Sequence, residues 1–247
     1  VNRAQPEYEL INAFDYYPIM WEAMRNADAI PGVDDPADVA AASQDATDNI
    51  FDELGYNPFT VPNNQIVGTD GKINPNADWL GDYEEDTDWL DAVTRQGQRQ
   101  NIDISYAGGT EKTDYYVSIG YLYEEGFIQD SDLRRFTGRA NVNYQATKWL
   151  RTGFNLNGAN SVSNMAQASS GQTSSFVNPI RFTRGIGSIY PVHKLDPVTG
   201  NYVLDDYGKK QYDIPDQRAG GASSGRHVVA EIDWDEDKNE ISTFGAK

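Results

Sequence analysis

"RRFTGRANVNYQATKWLRTGFNLNGA", residues 134–159, alternates almost without a break. Phe136, Gly138, Ala140, Val142 and Tyr144 share one parity; Thr137, Arg139, Asn141, Asn143 and Gln145 share the other. A β-strand points successive side chains to opposite faces, so this segment has one apolar or small face and one wholly polar face. Two pairs of environments suit such a ribbon: a protein core and water, or lipid and a water-filled lumen. "ATK" at 146–148 links the run tightly to "WLRTGFNLNGA", so the stretch reads as two strands joined by a short turn.

The same period extends outward. Ile102, Ile104 and Tyr106 alternate with Asp103, Ser105 and Ala107, and "GGTEK" (108–112) turns the chain. Tyr115, Val117, Ile119, Tyr121 and Tyr123 then alternate with Tyr116, Ser118, Gly120, Leu122 and Glu124, before a longer connection, "EEGFIQDSD". After a long Ser-, Gly-, Asn- and Pro-rich stretch, "HVVAEIDW" (227–234), a short turn and "EISTFGA" (240–246) predict two last strands. The connections run short, longer, short, very long, short. Outer-membrane barrels of the up-and-down kind have tight turns at one rim and long loops at the other. A soluble sandwich shares the strand pattern but has less reason to gather its short turns at one end. Trp149 beside Lys148, Trp234 before its turn, and Tyr121 with Tyr123 sit near strand ends, as in interfacial girdles. Strands of any sheet also favour aromatic residues.

The first third follows another period. "AFDYYPIMWEAMRNA" sets Phe14, Tyr17, Trp21 and Met24 at helical spacing, although Pro18 is comfortable only within a first turn. "DDPADVAAASQDATDNIFDELG" predicts a second helix, with Asp35 as cap, Pro36 at the first helical position and Gly55 as stop. The text that follows, "YNPFTVPNNQIVGTDGKINPNADWLGD", is dense in Pro, Gly, Asn and Asp and predicts an irregular loop.

The composition bounds the partners. A net charge of −18 over 247 residues disfavours nucleic acid, whose phosphates call for clustered Lys and Arg, and opposes adhesion to an anionic membrane surface. With no cysteine there are no disulfides, thiolate metal sites or cysteine nucleophiles. No apolar run approaches the ~20 residues of a membrane-spanning helix, but a barrel strand needs only about 9–11 alternating ones. The chain opens on "VNRAQPEYEL" and closes inside an alternating run, so a piece of a longer protein is expected.

"TDWLDAVTRQGQRQNIDISYAGGTEKTDYYVSIGYLYEEGFIQDSDLRRFTGRANVNYQATKWLRTGFNLNG" resembles the early barrel of SusC/RagA-family TonB-dependent transporters. Thr87-Asp88-Trp89, Gly108-Gly109 with Thr113 and Tyr115-Tyr116, Gly120-Tyr121 with Glu125-Gly126, and Arg135, Gly138-Arg139 and Asn141 carry the likeness. It is dense over residues 85–160 and looser over "PEYELINAFDYYPIMWEAMRNA" and "VVAEIDWDEDKNEISTFGAK". The resemblance implies an all-β class: part of a large transmembrane antiparallel barrel, 22-stranded in the family, with helical and irregular extracellular insertions. It implies an extracellular loop region with short helices over 1–98 and four barrel strands over 99–160. A long extracellular loop over 161–225 and two further strands over 226–247 would follow. No plug domain or TonB-contacting segment is legible in this text. The implied function is import of large solutes, oligosaccharides or less commonly peptides, at the bacterial outer membrane. The implied partners are a SusD-like lipoprotein lid, the TonB complex, the solute and outer-membrane lipid, with no nucleic acid. On that reading Phe136, Ala140, Val142 and Tyr144 face lipid, while Arg139, Asn141, Asn143 and Gln145 face the lumen or the plug.

Catalytic patterns are thin, and neither a catalytic, cofactor-binding nor metal-binding residue is assigned; the chain is expected to be no enzyme. His193 and His227 lie in loop-like text and read as surface histidines. "DWDEDKNE" (233–240) fails as a calcium loop, with Lys238 where glycine is needed and Phe244 where glutamate is needed. "GIGS" at 185–188 is too short for a dinucleotide fingerprint. The run Asp82-Tyr83-Glu84-Glu85-Asp86 reads as solvated. Trp79, Tyr190, Tyr202 and Tyr207 stand among polar residues, where they would stack on sugar rings, pack against a lid, or pack within the loop. A soluble extracellular β-rich glycan-binding module is the competing function. A β-sandwich hydrolase would need a positioned carboxylate pair that nothing here singles out.

Overall fold

The computed structural model describes residues 11–165, 179–214, 218, 226–234 and 238–247. They divide into two compact units, one built on residues 94–164 and 238–247 and the other on residues 11–93 and 179–231.

The first unit is a single antiparallel sheet in the order β1-β2-β3-β4-β5. Its strands are β1 (Arg99–Gly109), β2 (Thr113–Glu125), β3 (Asp132–Gln145), β4 (Arg151–Asn164) and β5 (Lys238–Ala246). Each strand pairs with the next in sequence, so the sheet is a plain meander in which 73 residues separate β4 from β5. At 11, 13, 14, 14 and 9 residues, the first four exceed the usual length of strands in globular proteins. Thr110 closes the first turn, its Oγ1 accepting from the backbone N–H groups of Lys112 and Thr113. Thr147 closes the second, accepting from Leu150 N at 3.1 Å.

The second unit is helical and irregular. Helix α1 (Ala13–Asp28) begins at Asn12, whose Oδ1 accepts from Asp15 N at 3.1 Å. Pro18 lies inside this helix, beyond the first turn where proline is at ease. The lost hydrogen bond is tolerated because Tyr17 and Trp21, on either side of it, are buried anchors. Helix α2 (Pro36–Leu54) starts and stops at the expected residues: Asp35 caps Ala37 N at 2.9 Å, and Gly55 ends it at φ 76°. Ala42, Ala46, Ile50 and Leu54, four residues apart, form its buried stripe.

The loop after α2 is irregular yet well packed. Phe59 bridges to Trp79 and Val67 to Ile73, which folds the segment onto α1 and α2. Phe14 meets Phe59 at 4.7 Å and Trp79 at 5.4 Å between ring centroids, the second contact edge-on. Trp21 Nε1 donates to Thr47 Oγ1 at 2.9 Å, and the Tyr17 hydroxyl donates to the Tyr56 carbonyl, so neither buried polar group is left unpaired. The same core takes in Ile189 and Tyr190, more than a hundred residues downstream. Two stretches that read as separate loops therefore fold as one body.

Short helices α3 (Tyr83–Asp86), α4 (Trp89–Val93) and α5 (Pro179–Gly185) complete the body, and α6 (Val228–Trp234) ends it. The last corrects the reading of residues 226–247 as two strands: among the described residues of that range only β5 is a strand, and 228–234 is helical. His227 explains why. Its Nδ1 accepts from Ala230 N at 3.0 Å, while Glu231 Oε1 accepts from His227 N at 3.3 Å, a reciprocal cap of the helix start. Arg226 holds Glu231 in place through two hydrogen bonds, 2.5 and 2.6 Å long. Local side-chain bonds to the backbone outweigh the β-preference of two adjacent valines. Among the described residues no helix is long and apolar enough to cross a membrane.

Candidate functional site

Register decides what the sheet can do. Ile104 pairs with Ile119, Ile119 with Gly138, Gly138 with Gly158 and Gly158 with Phe244. One step away, Tyr106, Val117, Ala140, Leu156 and Ala246 line up, and on the other side Ile102, Tyr121 and Phe136 do so. All these side chains share one face, since residues directly opposite in a ladder point the same way. Ile102, Ile104, Tyr106, Val117, Ile119, Phe136, Tyr144, Phe154 and Phe244 remain exposed on it, the last at 78%. An apolar face of this extent is far beyond the scattered exposed residues of an ordinary soluble surface.

That face is a band with limits. It runs on β3 from Tyr144, opposite Thr113 and Thr152, to Phe136, and gives way to Arg134 opposite Tyr123. Those eight residue-to-residue steps span about 27 Å along a strand, or about 21 Å along the normal at a tilt near 40°, close to the ~25 Å apolar belt of membrane barrels. Tyrosines stand at both margins, and Trp149 in the β3–β4 turn is 82% exposed.

The opposite face is mainly polar, with Leu122 on β2 and Ile241 on β5 among its apolar exceptions. Asp114 joins Asn143 Nδ2 at 2.7 Å and Arg151 Nη2 at 2.9 Å near the tight-turn end. Arg99 meets Glu124 at 3.6 Å near the other end. Asp103 accepts from Asn101 at 2.5 Å. Among the described residues the outer edges of β1 and β5 pair with nothing, which leaves two rows of backbone groups available to further strands.

In the helical body the chemistry is mostly internal. Asp86, last in the acidic run expected to be solvated, is buried; its carboxylate accepts from His193 N at 2.6 Å and lies 2.7 Å from His193 Nδ1. His227 is not a surface histidine either, being only 2% exposed. With Nδ1 accepting from Ala230 N, its Nε2 donates to the Val192 carbonyl at 2.6 Å, so the ring is the neutral tautomer. Burial pushes its pKa down to about 4. Trp89 Nε1 donates to the Tyr190 carbonyl at 2.7 Å and Val192 N to the Asp86 carbonyl at 2.9 Å, which clamps 190–193 against α3 and α4.

A second knot lies in the same body. The Tyr56 hydroxyl donates to Asp213 Oδ2 at 2.7 Å, and Arg218 Nη2 donates to the Asp213 carbonyl at 2.6 Å, with its guanidinium 3.8 Å from the carboxylate. Burial raises the Asp213 carboxyl and lowers the Arg218 guanidinium from their ordinary values; each charge then depends on the other. No local spacing announces these partners, because Tyr56 and Asp213 are 157 residues apart and Asp86 and His193 are 107 apart.

The aromatic candidates separate. Tyr190 is fully buried, and Trp79 packs on Phe14 and Phe59. Tyr202 carries the Lys210 ammonium 3.3 Å from its ring centre, and burial, followed by the Asp86 and Asp82 charges, lifts its hydroxyl to about 12. Only Tyr207, 90% exposed at a turn tip, presents a free flat face. A cleft of about 500 Å3 beside His193 and Lys210 is rimmed by Glu84, Glu85, Asp88 and Asp91. Among the described residues no group of three or more His, Asp or Glu is arranged to hold a metal. Residues 235–237 of the acidic turn lie outside the described residues.

No protein-family model matches the chain. Relatives do. It is 29% identical over 127 residues to TonB-dependent receptor P3 of Formosa agariphila, a match covering 49% of this chain and 12% of that receptor. It is 36% identical over 56 residues to TonB-dependent receptor SusC of Bacteroides thetaiotaomicron, covering 23% and 6%. Receptor P26 of Formosa agariphila is 31% identical over 70 residues, covering 28% and 7%. The matches thus span about an eighth or less of each relative's length. Among solved structures, the RagAB peptide importer in its "closed-closed" state is similar at a TM-score of 0.43 and 20% identity, over 90% of this chain and 22% of that one. A structure of the RagAB peptide transporter is similar at 0.44 and 22% identity, over 90% and 21%.

Proposed function

We propose, from the premise that this chain is a segment of a SusC/RagA-type TonB-dependent receptor, that its sheet is part of the wall of an outer-membrane barrel. The receptor would import large solutes, oligosaccharides before peptides, in partnership with a SusD-like lipoprotein and powered through TonB. The observation that carries the reading is the continuous apolar face set by the register of all five strands. In hydrocarbon every backbone group must be paired within the protein, so the free edges of β1 and β5 call for further strands and a closed wall. The polar face would then look into the lumen, and residues 1–98 and 161–225 would lie at the extracellular rim. On this reading the chain has no catalysis of its own.

A lipid-soluble photoreactive probe tests the reading in native outer membranes. Single cysteines replacing Ile119 and Ser118 differ only in face. Labelling by the lipid probe at position 119 and by a water-soluble maleimide at 118 is the expected result. Maleimide reaction at both positions, in a receptor that stays in the aqueous fraction without detergent, would favour the soluble glycan-binding module.

A further inference from the structure

The cleft beside His193 lies wholly within the helical body, and the chain seats one of its own cations there. Its volume is about 500 Å3. Five carboxylates line it against one ammonium: Glu84, Glu85, Asp86, Asp88 and Asp91 against Lys210. Asp86 is buried and takes both His193 N and His193 Nδ1. That pairing fixes the imidazole, which stacks on Tyr212 and meets Tyr202 edge-on. The other ring nitrogen, Nε2, makes no hydrogen bond among the described residues. Neither do the carboxylates of Glu84 and Glu85, which also lack an ion pair among those residues.

Lys210 shows what the cleft attracts. Its ammonium lies 3.3 Å from the centre of the Tyr202 ring, over the face where an aromatic quadrupole is negative. It makes no ion pair among the described residues, so the ring and the surrounding negative field hold it, not a single carboxylate. The charges of Asp86, Asp82 and Glu85 add to burial in raising the Tyr202 hydroxyl, and a field that disfavours a phenolate draws a cation. An acidic run alone is an ordinary solvated surface. This one differs because an ammonium already occupies the aromatic wall, and because one ammonium leaves carboxylates over.

We infer that the cleft binds a primary ammonium group of the solute, which displaces Lys210 from the face of Tyr202 and pairs with Glu84 and Glu85. The inference rests on the import reading, which brings solute to this body. Lys210 is the built-in competitor: exposed, on a flexible four-carbon stem, it can leave the ring without disturbing the fold. Asp86 supplies charge to the cleft while its oxygens stay with His193. A metal ion is the poorer match, since among the described residues no three His, Asp or Glu converge to hold one. A compact ammonium needs no such convergence; it needs a ring face and nearby negative charge.

The test uses the full-length receptor in detergent, titrated by calorimetry in mildly acidic, low-salt buffer. The probes are a glucosamine trimer, its N-acetylated twin and trilysine. The ammonium probes should bind, and the acetylated twin should bind at least about tenfold more weakly than the free amine. Lys210→Met keeps the length of the side chain and removes its charge, and should tighten ammonium binding about fivefold. Lys209→Met makes the same change in net charge one residue away, outside the cleft, and should shift it less than about twofold. Glu84→Gln with Glu85→Gln should weaken it at least about tenfold. Binding of the glucosamine trimer alone assigns the ammonium to an amino sugar, and binding of trilysine alone assigns it to a peptide; either supports the site. No binding of either ammonium probe, equal affinity for the acetylated twin, or a Lys210→Met receptor no tighter than the Lys209→Met one would overturn the inference. The import reading has its own readout in the labelling of positions 119 and 118, so the two can fail separately.

Discussion

Placing one arginine at successive depths on the apolar face is the sharpest test of the sheet's orientation. The band on β3 runs from Tyr144 to Phe136, so its middle falls at Ala140, which pairs with Val117. Val142 and its partner Tyr115 lie one step nearer the tight turns, and Tyr144 lies two steps out. One step is about 6.8 Å along the strand, or about 5 Å along the membrane normal at a tilt near 40°. Val117→Arg should therefore cost about 2–4 kcal/mol, Val142→Arg about 1–2, and Tyr144→Arg no more than about 1. In folding equilibria these are roughly thirty- to several-hundred-fold, several- to thirty-fold, and at most about fivefold. The opposite-face twins, Ser118→Arg and Asn143→Arg, should change little, because their side chains enter the aqueous side. The assay is reversible folding of the full-length receptor into lipid vesicles, read by the heat-modifiable band and by tryptophan emission. A flat series across depth, or twins as costly as their neighbours, would refute the assignment of this face to lipid.

Three further outcomes concern the helical body. His227 is held neutral at a pKa of about 4 against an ordinary 6.5, so the unfolded chain takes up its proton first as pH falls. The stability it contributes, about 3 kcal/mol at most, is complete above pH ~6.5 and lost between about 6.5 and 4; protease resistance of residues 179–231 should fall across that window and flatten in His227→Gln. Tyr56→Phe removes the 2.7 Å donor to a buried carboxylate and should cost about 1.5–3 kcal/mol by urea titration, with the loss shrinking in an Asp213→Asn background. Gly200 has φ 71°, and a Cβ there would meet the Leu80 carbonyl at 2.2 Å, so Gly200→Ala should destabilise the body by about 2–4 kcal/mol, visible as earlier thermal release of the same segment.

The sheet was legible because its determinants are local. A strict period of two, turns such as "GGTEK" and "ATK", and long runs between them fix the faces and order of β1 to β4, whereas the pairing of β5 with β4 crosses 73 residues, in which the sequence predicts a further strand at 227–234. Helix α2 was legible for the same reason: its cap, its Pro36 and its Gly55 all lie within the helix's own text. Helix α6 was not. Val228, Ala230 and Ile232 are buried at alternate positions in a seven-residue run, a pattern that fits a strand as well as a helix. What settles it is a histidine ring acting as cap, and histidine's role there depends on burial against Val192, 35 residues earlier in the chain.

The same distance argument explains why residues with strong chemistry turned out to be structural. An acidic run, two histidines and four aromatics looked like exposed loop features because each was read beside its sequence neighbours, which are polar. Their partners come from the other stretch: Asp86 with His193, Trp89 with Tyr190, Tyr56 with Asp213. Once those pairs form, Asp86, His227 and Tyr190 are committed to holding two loops together, and their polar atoms are occupied. Ligand contacts from this body must then come from groups the knots leave out, of which Tyr207 is the most exposed aromatic. A Tyr207→Ala receptor should keep the stability of its parent within about 0.5 kcal/mol, as surface changes do. Should it also take up solute at the parental rate, the aromatic-stacking role expected of these loops has no remaining carrier among the four residues first considered.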